Sequence, residues 1–181
     1  LNIADINIKD IHNYENILAA LLVLQNFDLD KEIVTRFLKQ FNGVEHRLEF
    51  VLEKDKVKYY NDSKSTNPTS TITALKTFKN SIHLILGGLE RYQDFNELND
   101  YLKYVKHIYA IGEVTKRVAE YAKNVQIPCT ECVTLSKALA EIKKNVVANE
   151  IVLLSPASSS QDQYKKFEER GEEFKNIVEN F

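Results

Sequence analysis

Four short, almost unbroken apolar runs, at residues 82–86, 107–111, 127–129 and 151–154, alternate with stretches whose apolar side chains recur at helical spacing. A strand that is apolar on both faces must be covered on both faces, and helices between successive strands supply that cover only if the strands run parallel. The alternation therefore predicts a doubly wound α/β domain with a mostly parallel sheet. Helices are expected over 69–78, 95–104, 114–122 and 135–144, and from about 162 to the end. Gly171 falls inside the last of these, where it is about 1 kcal/mol less favourable than Ala, and leaves open whether one helix or two is formed.

The chain before this pattern reads differently. Residues 11–27 are dense in Leu and Ala and lack Gly and Pro, which predicts a buried helix with Asp10 as its cap. A second helix begins at Asp30, with Ile33, Val34, Phe37, Leu38 and Phe41 on one face, and Gly43 ends the pair. Two runs at 47–52 and 57–61 then flank the polar segment 53–56, as in a hairpin. The expected organisation is a helical segment over 1–43 followed by an α/β domain over 44–181.

Lys and Arg total 24 against 26 for Asp and Glu, so there is no general basic field to draw in nucleic acid or an anionic membrane. No stretch reaches the ~18–20 apolar residues of a membrane span, and Leu1-Asn2-Ile3-Ala4-Asp5 lacks the layout of a signal peptide, which predicts a cytoplasmic protein. There is no Met, even at position 1, so the chain reads as a piece of a longer polypeptide. Cys129 and Cys132 form a C-x-x-C pair after Pro128. No His stands at the spacing that would complete a zinc site, and two reduced thiols in a strand and its turn is the simpler reading; no metal site is expected. Asn61-Asp62-Ser63 matches the glycosylation pattern by chance, given no secretion signal. His83 and His107, in or beside strands, read as packed side chains.

In a doubly wound sheet, ligands bind beyond the carboxyl ends of the strands. The segments that follow the strands are Asn61-Asp62-Ser63-Lys64-Ser65-Thr66-Asn67, Gly87-Gly88-Leu89-Glu90-Arg91, Gly112-Glu113 and Ser155-Pro156-Ala157-Ser158-Ser159-Ser160. Singly, these residue types are ordinary caps and turns. Together they bring hydroxyls, a Lys, an Arg and helix N-termini to one edge, which suits a carboxylate or a phosphate. Neither G-x-x-x-x-G-K-[ST] nor G-x-G-x-x-G occurs, so any residues that grip nucleotide phosphates tightly are expected outside the chain.

The segment Gly43-Val44-Glu45-His46-Arg47, the Asn61–Asn67 segment, Gly87-Gly88, Leu154-Ser155-Pro156-Ala157, Asp162-Gln163-Tyr164 and Phe167-Glu168-Glu169-Arg170-Gly171 resemble, in order, the C-terminal part of the Mur ligase family, in its D-glutamate-adding branch. His12-Asn13-Tyr14-Glu15-Asn16 with Ala19-Ala20 resembles the end of the family's central ATPase domain. The resemblance implies a Rossmann-like amino-acid-binding domain over 44–181 and a helical tail of the central domain over 1–43. It implies ATP-dependent amide formation between D-glutamate and UDP-N-acetylmuramoyl-L-alanine through an acyl phosphate, in peptidoglycan precursor synthesis. By the resemblance, ATP and Mg²⁺ would be held mainly by residues absent from this chain, the Mg²⁺ and the phosphate loop belonging to the central domain and the uridine nucleotide to the N-terminal domain, so the chain alone would be inactive.

By the same resemblance, Asn13, Asn16, Arg47 and Asp62 match positions at ATP, the two Asn near the adenine, Arg47 at the phosphates and Asp62 at the ribose hydroxyls. Lys64, as a catalytic residue, and Thr66, Ser160 and Phe167 match positions around the amino acid and the reacting atoms, Phe167 through its backbone. Arg91 stands where the family usually has a Lys that faces the glutamate carboxylates, a change of reach and hydrogen-bond shape at constant charge. Ser158-Ser159 replaces a more usual Cys-Ala, Asp10 a more usual Gly, and His46 reads as an orienting neighbour. Another Mur-type or folylpolyglutamate ligase domain, and a non-catalytic Rossmann-like anion-binding module, are the alternatives.

Overall fold

The computed structural model describes residues 11–41 and 43–181; Asp10 and the five opening residues discussed above lie outside them. The chain divides into two compact units, Leu1–Val44 and Glu45–Phe181. In the first, helix α1 (Ile11–Leu24) stops short of the expected end at 27, where Phe27 N–H turns back to the Leu24 carbonyl at 3.0 Å. Helix α2 (Lys31–Gln40) starts as anticipated at Asp30, whose carboxylate accepts from the Glu32 N–H at 2.8 Å. Leu18, Leu22, Phe27, Ile33 and Phe37 are exposed on this pair.

The second unit is a six-stranded sheet in the order β1-β2-β6-β3-β4-β5, built from β1 (Glu49–Lys54), β2 (Val57–Asn61), β3 (Ile82–Gly87), β4 (Val105–Ile111), β5 (Cys129–Val133) and β6 (Ile151–Leu154). Only the β1–β2 pair is antiparallel, so the mostly parallel α/β sheet expected from the apolar runs is what forms. Its hairpin turn is tighter than the segment 53–56. Asp55 and Lys56 alone make it, both at positive φ (53° and 62°), which matches the right-handed twist of the flanking strands.

Strand alternation decides which helix covers which face. Leu84, Leu86, Ile108, Ala110, Ile151 and Leu153 pack with Ala74 and Leu75 of α3 (Pro68–Thr77) and with Val118 and Ala122 of α4 (Thr115–Asn124). Ile85, Tyr109, Ile111, Val152 and Leu154 pack on the other face with Leu135, Leu139 and Ile142 of α5 (Leu135–Asn145) and with Phe174 and Val178 of α6 (Phe167–Glu179). Each Leu, Ile, Val or Phe side chain taken from water in these two layers stabilises the fold by about 1.5–3 kcal/mol.

The structure corrects three further local expectations and answers the question left open at Gly171. Phe95–Tyr104 forms a 3₁₀ helix rather than an α-helix; it carries the weak helix formers Asn96, Asn99 and Asp100, and Asp94 caps it through the Asn96 N–H at 2.9 Å. The fifth strand runs over Cys129–Val133, not 127–129. It is an edge strand with only Cys132 buried, so it lacks the continuous apolar signal of the inner strands. Residues 161–166 are turns rather than the start of the last helix, because tertiary partners hold them: Asp162 Oδ2 accepts from the Glu113 N–H at 2.9 Å and Gln163 Nε2 donates to the Val133 carbonyl at 2.8 Å. Helix α6 passes through Gly171 unbroken. A Cβ there would lie 2.3 Å from His46 Nδ1, so the glycine is required by close packing and not by a break.

His83 and His107 are held by packing and hydrogen bonds. His83 is buried between Glu150 (2.8 Å) and the Tyr109 hydroxyl (3.1 Å), and burial holds its pKa down despite the carboxylate. His107 Nε2 meets the Thr130 hydroxyl at 2.8 Å. Burial pushes both Cys129 and Cys132 thiols up to about 11, which leaves little nucleophilic thiolate at neutral pH. Among the described residues no helix is long and apolar enough to cross a membrane.

Candidate functional site

The loops after β2, β3, β4 and β6 meet at one rim because β6, last in the chain, inserts between β2 and β3. The first is built on Asp62. Its backbone N–H bonds the Leu154 carbonyl at 2.8 Å, continuing the β2–β6 ladder past the end of the strand. Its carboxylate is 2% exposed and takes three donors: the Ser65 hydroxyl (2.5 Å) and the Ser155 hydroxyl (2.7 Å) on Oδ2, and the Leu48 N–H (3.1 Å) on Oδ1. Burial raises its pKa to about 6 against the lowering effect of those hydrogen bonds and of Arg47.

That shift has a defined pH signature. A carboxyl whose folded-state value, about 6, exceeds its ordinary 3.8 binds its proton more tightly in the folded state. Its contribution to stability is therefore greatest below about pH 4, declines as pH rises to about 6, and is constant above that, a change on the order of 2–3 kcal/mol. Urea midpoints recorded between pH 4 and 7 should show this decline, and Asp62→Asn should remove it; an unchanged slope in the variant would assign the decline to other groups.

Next in the same loop, Ser63 ties the rim together. Its hydroxyl donates to the Phe167 carbonyl (2.7 Å) and accepts from Arg170 Nε (3.0 Å). Arg170, 1% exposed, also donates through one terminal nitrogen to the Ser63 carbonyl (2.9 Å) and the Ser158 carbonyl (3.1 Å). A single guanidinium thus fastens the β2 loop to the β6 loop. Its other terminal nitrogen has no hydrogen-bond partner among the described residues, and burial lowers the pKa of the guanidinium to about 10, so it remains a cation at neutral pH.

Lys64 is exposed directly above this clamp. Its backbone N–H donates to the His46 carbonyl at 3.0 Å, and its ammonium stands 5.9 Å from the centre of the Phe167 ring. Thr66 is exposed two residues on, and Asn67 then caps α3 by accepting from the Ser70 N–H at 2.9 Å. His46 is buried under the loop at φ 62°, paired with the Asn61 side-chain amide at 2.9 Å and edge-on to Phe167. Its position as a neighbour that shapes the loop from below follows from these contacts.

On the opposite side of the rim, the Leu89 N–H bonds the Ser159 carbonyl at 2.8 Å, and the exposed Arg91 donates to Gln161 Oε1 at 2.7 Å. Gly88 permits this approach, since a Cβ there would lie 2.2 Å from the Ser159 carbonyl oxygen. Ser160 is 2% exposed, so the surface beside Arg91 is offered by the partly exposed Ser159 and by Gln161. Lys64, Phe167, Ser160 and Arg91 accordingly share one rim, linked through Ser63, Arg170 and the 158–161 segment.

Beside Lys64 lies a hollow of about 230 Å³ lined by Arg47, Leu48, Asp62, Lys64, Ser65 and Thr69, among others. Two cations, hydroxyls and the N-terminal turn of α3 make it suitable for a phosphate-bearing ligand. Asp62, expected to meet ribose hydroxyls, borders this hollow, but three of its acceptor positions serve the protein itself. Asn16 is exposed on α1 in the first unit, and the side chain of Asn13 lies outside the described residues. Glu45, His46 and Glu172 bring ligand atoms within 4.8 Å of one another, yet Lys175 sits among these acids, 2.8 Å from Glu172 and in contact with Glu45, and supplies the positive charge there.

Sequence reasoning gives Arg170 no place at the rim, where it bridges two loops. It stands in a helical run of charged residues that reads as a solvated face, and only the tertiary structure turns it inward.

A family model described as Mur ligase, glutamate ligase domain, matches residues 46–158. Curated relatives named UDP-N-acetylmuramoylalanine--D-glutamate ligase are 41% identical in Macrococcus caseolyticus, over 96% of this chain and 39% of the relative, and 37% identical in Clostridium tetani, over 99% and 40%. The chain thus spans about two fifths of the length of the curated relatives it matches. Among solved structures, UDP-N-acetylmuramate-alanine ligase of Thermotoga maritima aligns with a TM-score of 0.69 at 16% identity, covering 97% of this chain and 39% of that one. Folylpolyglutamate synthase of the same organism aligns at 0.59 with 18% identity, covering 84% and 37%; these two likenesses show the fold alone.

Proposed function

The chain belongs to the Mur ligase family through its glutamate ligase domain, and on that premise we propose that it is the amino-acid-binding part of an ATP-dependent ligase that joins D-glutamate to UDP-N-acetylmuramoyl-L-alanine. The observation that carries this reading is that Arg170 ties the Lys64 loop to the 158–161 segment, whose Gln161 in turn meets Arg91. The names of the relatives at 37–41% identity favour D-glutamate over the substrates of other family branches. The helical pair is read as the tail of the family's central ATPase domain, and its exposed apolar face fits an element made to be covered. The reading entails a cytoplasmic enzyme whose Mg²⁺ and nucleotide are gripped mainly by residues beyond this chain.

In the proposed reaction the carboxylate of UDP-N-acetylmuramoyl-L-alanine is activated as an acyl phosphate. The neutral amine of D-glutamate attacks its carbonyl carbon to give a tetrahedral intermediate; as this collapses the C–O bond to phosphate breaks, phosphate leaves with the bonding electron pair, and the nitrogen gives up one proton, so that the products are the amide and hydrogen phosphate. This chain's task is to make that attack effectively intramolecular. A dianionic amino acid needs a cation for each carboxylate, and Lys64 and Arg91 supply them from opposite sides of the rim. Thr66 and the backbone at Phe167 add hydrogen-bond donors, and Ser160 shapes the floor. Arg47 and Asp62 would meet ATP in the adjoining hollow, Arg47 through the phosphates and Asp62 through its remaining acceptor position.

The test is phosphate release by the full polypeptide that contains this chain. Release is expected to require ATP, UDP-N-acetylmuramoyl-L-alanine and D-glutamate together, with L-glutamate and L-lysine inert, and the present chain alone should release none. Efficient turnover with a different amino acid would replace the substrate assignment.

A further inference from the structure

We infer that Arg117, on α4, is a positioning residue that latches the β3 loop and thereby fixes Arg91 for the carboxylates of the acidic amino acid. The inference rests on the ligase reading above. Arg117 approaches Glu90 with two donors, Nε to Oε2 and a terminal nitrogen to Oε1, both at 2.8 Å, and its other terminal nitrogen reaches the Gln93 carbonyl at 2.7 Å. Its guanidinium lies over the Phe95 ring, 4.5 Å from the centre. This is the planar, forked use of arginine, which a lysine cannot reproduce.

The loop held in this way carries further hydrogen bonds. The Glu90 N–H donates to Glu113 Oε2 (3.1 Å), the Arg91 N–H to Gln93 Oε1 (3.0 Å) and the Tyr92 N–H to Glu90 Oε1 (2.7 Å), while the Gln93 side-chain amide donates to the Ser158 hydroxyl. Tyr92 sits at φ 55° with 90% of its surface exposed, a backbone state that a bulky residue keeps only where its surroundings impose it. Glu90 imposes it, and Arg117 holds Glu90.

The consequence is felt at Arg91. Its guanidinium projects from this short loop to Gln161, next to Ser160, and a long exposed side chain is costly to immobilise unless its own backbone is already fixed. A part-exposed Arg–Glu pair contributes little to overall stability, so the arrangement matters for geometry more than for folding.

Arg117→Met in the full polypeptide tests this. The KM for D-glutamate is expected to rise about tenfold with kcat within about twofold and the KM for ATP unchanged, and Arg117→Lys should fall between. In an Arg91→Met background the same substitution should alter the KM for D-glutamate by less than about twofold, because the route to the substrate has been removed. Amide exchange at Arg91 and Tyr92 should accelerate at least about tenfold in Arg117→Met. An unchanged KM, or a loss that adds in full to that of Arg91→Met, overturns the positioning role. Should the wild-type polypeptide not use D-glutamate, the substrate reading fails, and unchanged exchange at those two amides would separately refute the latch.

Discussion

Arg170→Met is expected to lower kcat/KM for ligation by about 100-fold, the scale of a catalytic group displaced by about 1 Å. The reason is that one side chain spans two loops. Removing it leaves the Ser63 and Ser158 carbonyls without their donor and frees the Lys64 loop from the 158–161 segment. A buried carbonyl stripped of its partner costs about 1–3 kcal/mol, and relief of a desolvated charge offsets part of this, so a net destabilisation of about 2–4 kcal/mol should accompany the kinetic loss. Arg170→Lys separates charge from geometry. It retains the cation but cannot bridge both carbonyls, and it should restore less than about a tenth of the activity. Wild-type kcat/KM in Arg170→Met, measured alongside urea unfolding, would remove the clamp from the account of the site.

Lys64→Ala should give the reverse division of effects. Lys64 is exposed on a loop, its backbone hydrogen bond to His46 survives the substitution, and its ammonium stands 5.9 Å from the centre of the Phe167 ring. The melting temperature is therefore expected to move by less than about 2 °C, as for surface substitutions generally. Ligation should fall by about 10²–10³-fold, the usual cost of removing a charged group aimed at the reacting atoms. Lys64→Arg should not rescue it, because a planar fork cannot take the place of a compact point charge at the same distance. Proportionate losses of stability and activity would make Lys64 a structural residue.

Much of the second unit was legible because burial on both faces leaves an unambiguous trace. The runs at 82–86, 107–111 and 151–154 are apolar on both faces of the pleat except at His83 and His107, and strands stand there. The fifth strand was misplaced because an edge strand with one buried residue carries no such trace. The start of α6 was misplaced for a different reason. Gln161 to Lys166 are compatible with a helix, and it is Glu113 and Val133, distant in sequence, that hold them in turns. Arg117 and Arg170 look like any charged residue on a helix, since the partners that define them are 27 and 107 residues away.

The sequence by itself determined the α/β architecture, the parallel strands and the chemistry gathered in the loops, because strand burial, helical periodicity and turn-forming residues are encoded by near neighbours. The insertion of β6 between β2 and β3 was decided only in three dimensions, and with it the meeting of Lys64 with Phe167, the inward turn of Arg170 and the burial of Asp62. Strand order depends on which surfaces pack together across the whole domain, and a side chain's role at such a junction is set by partners that the local sequence does not contain.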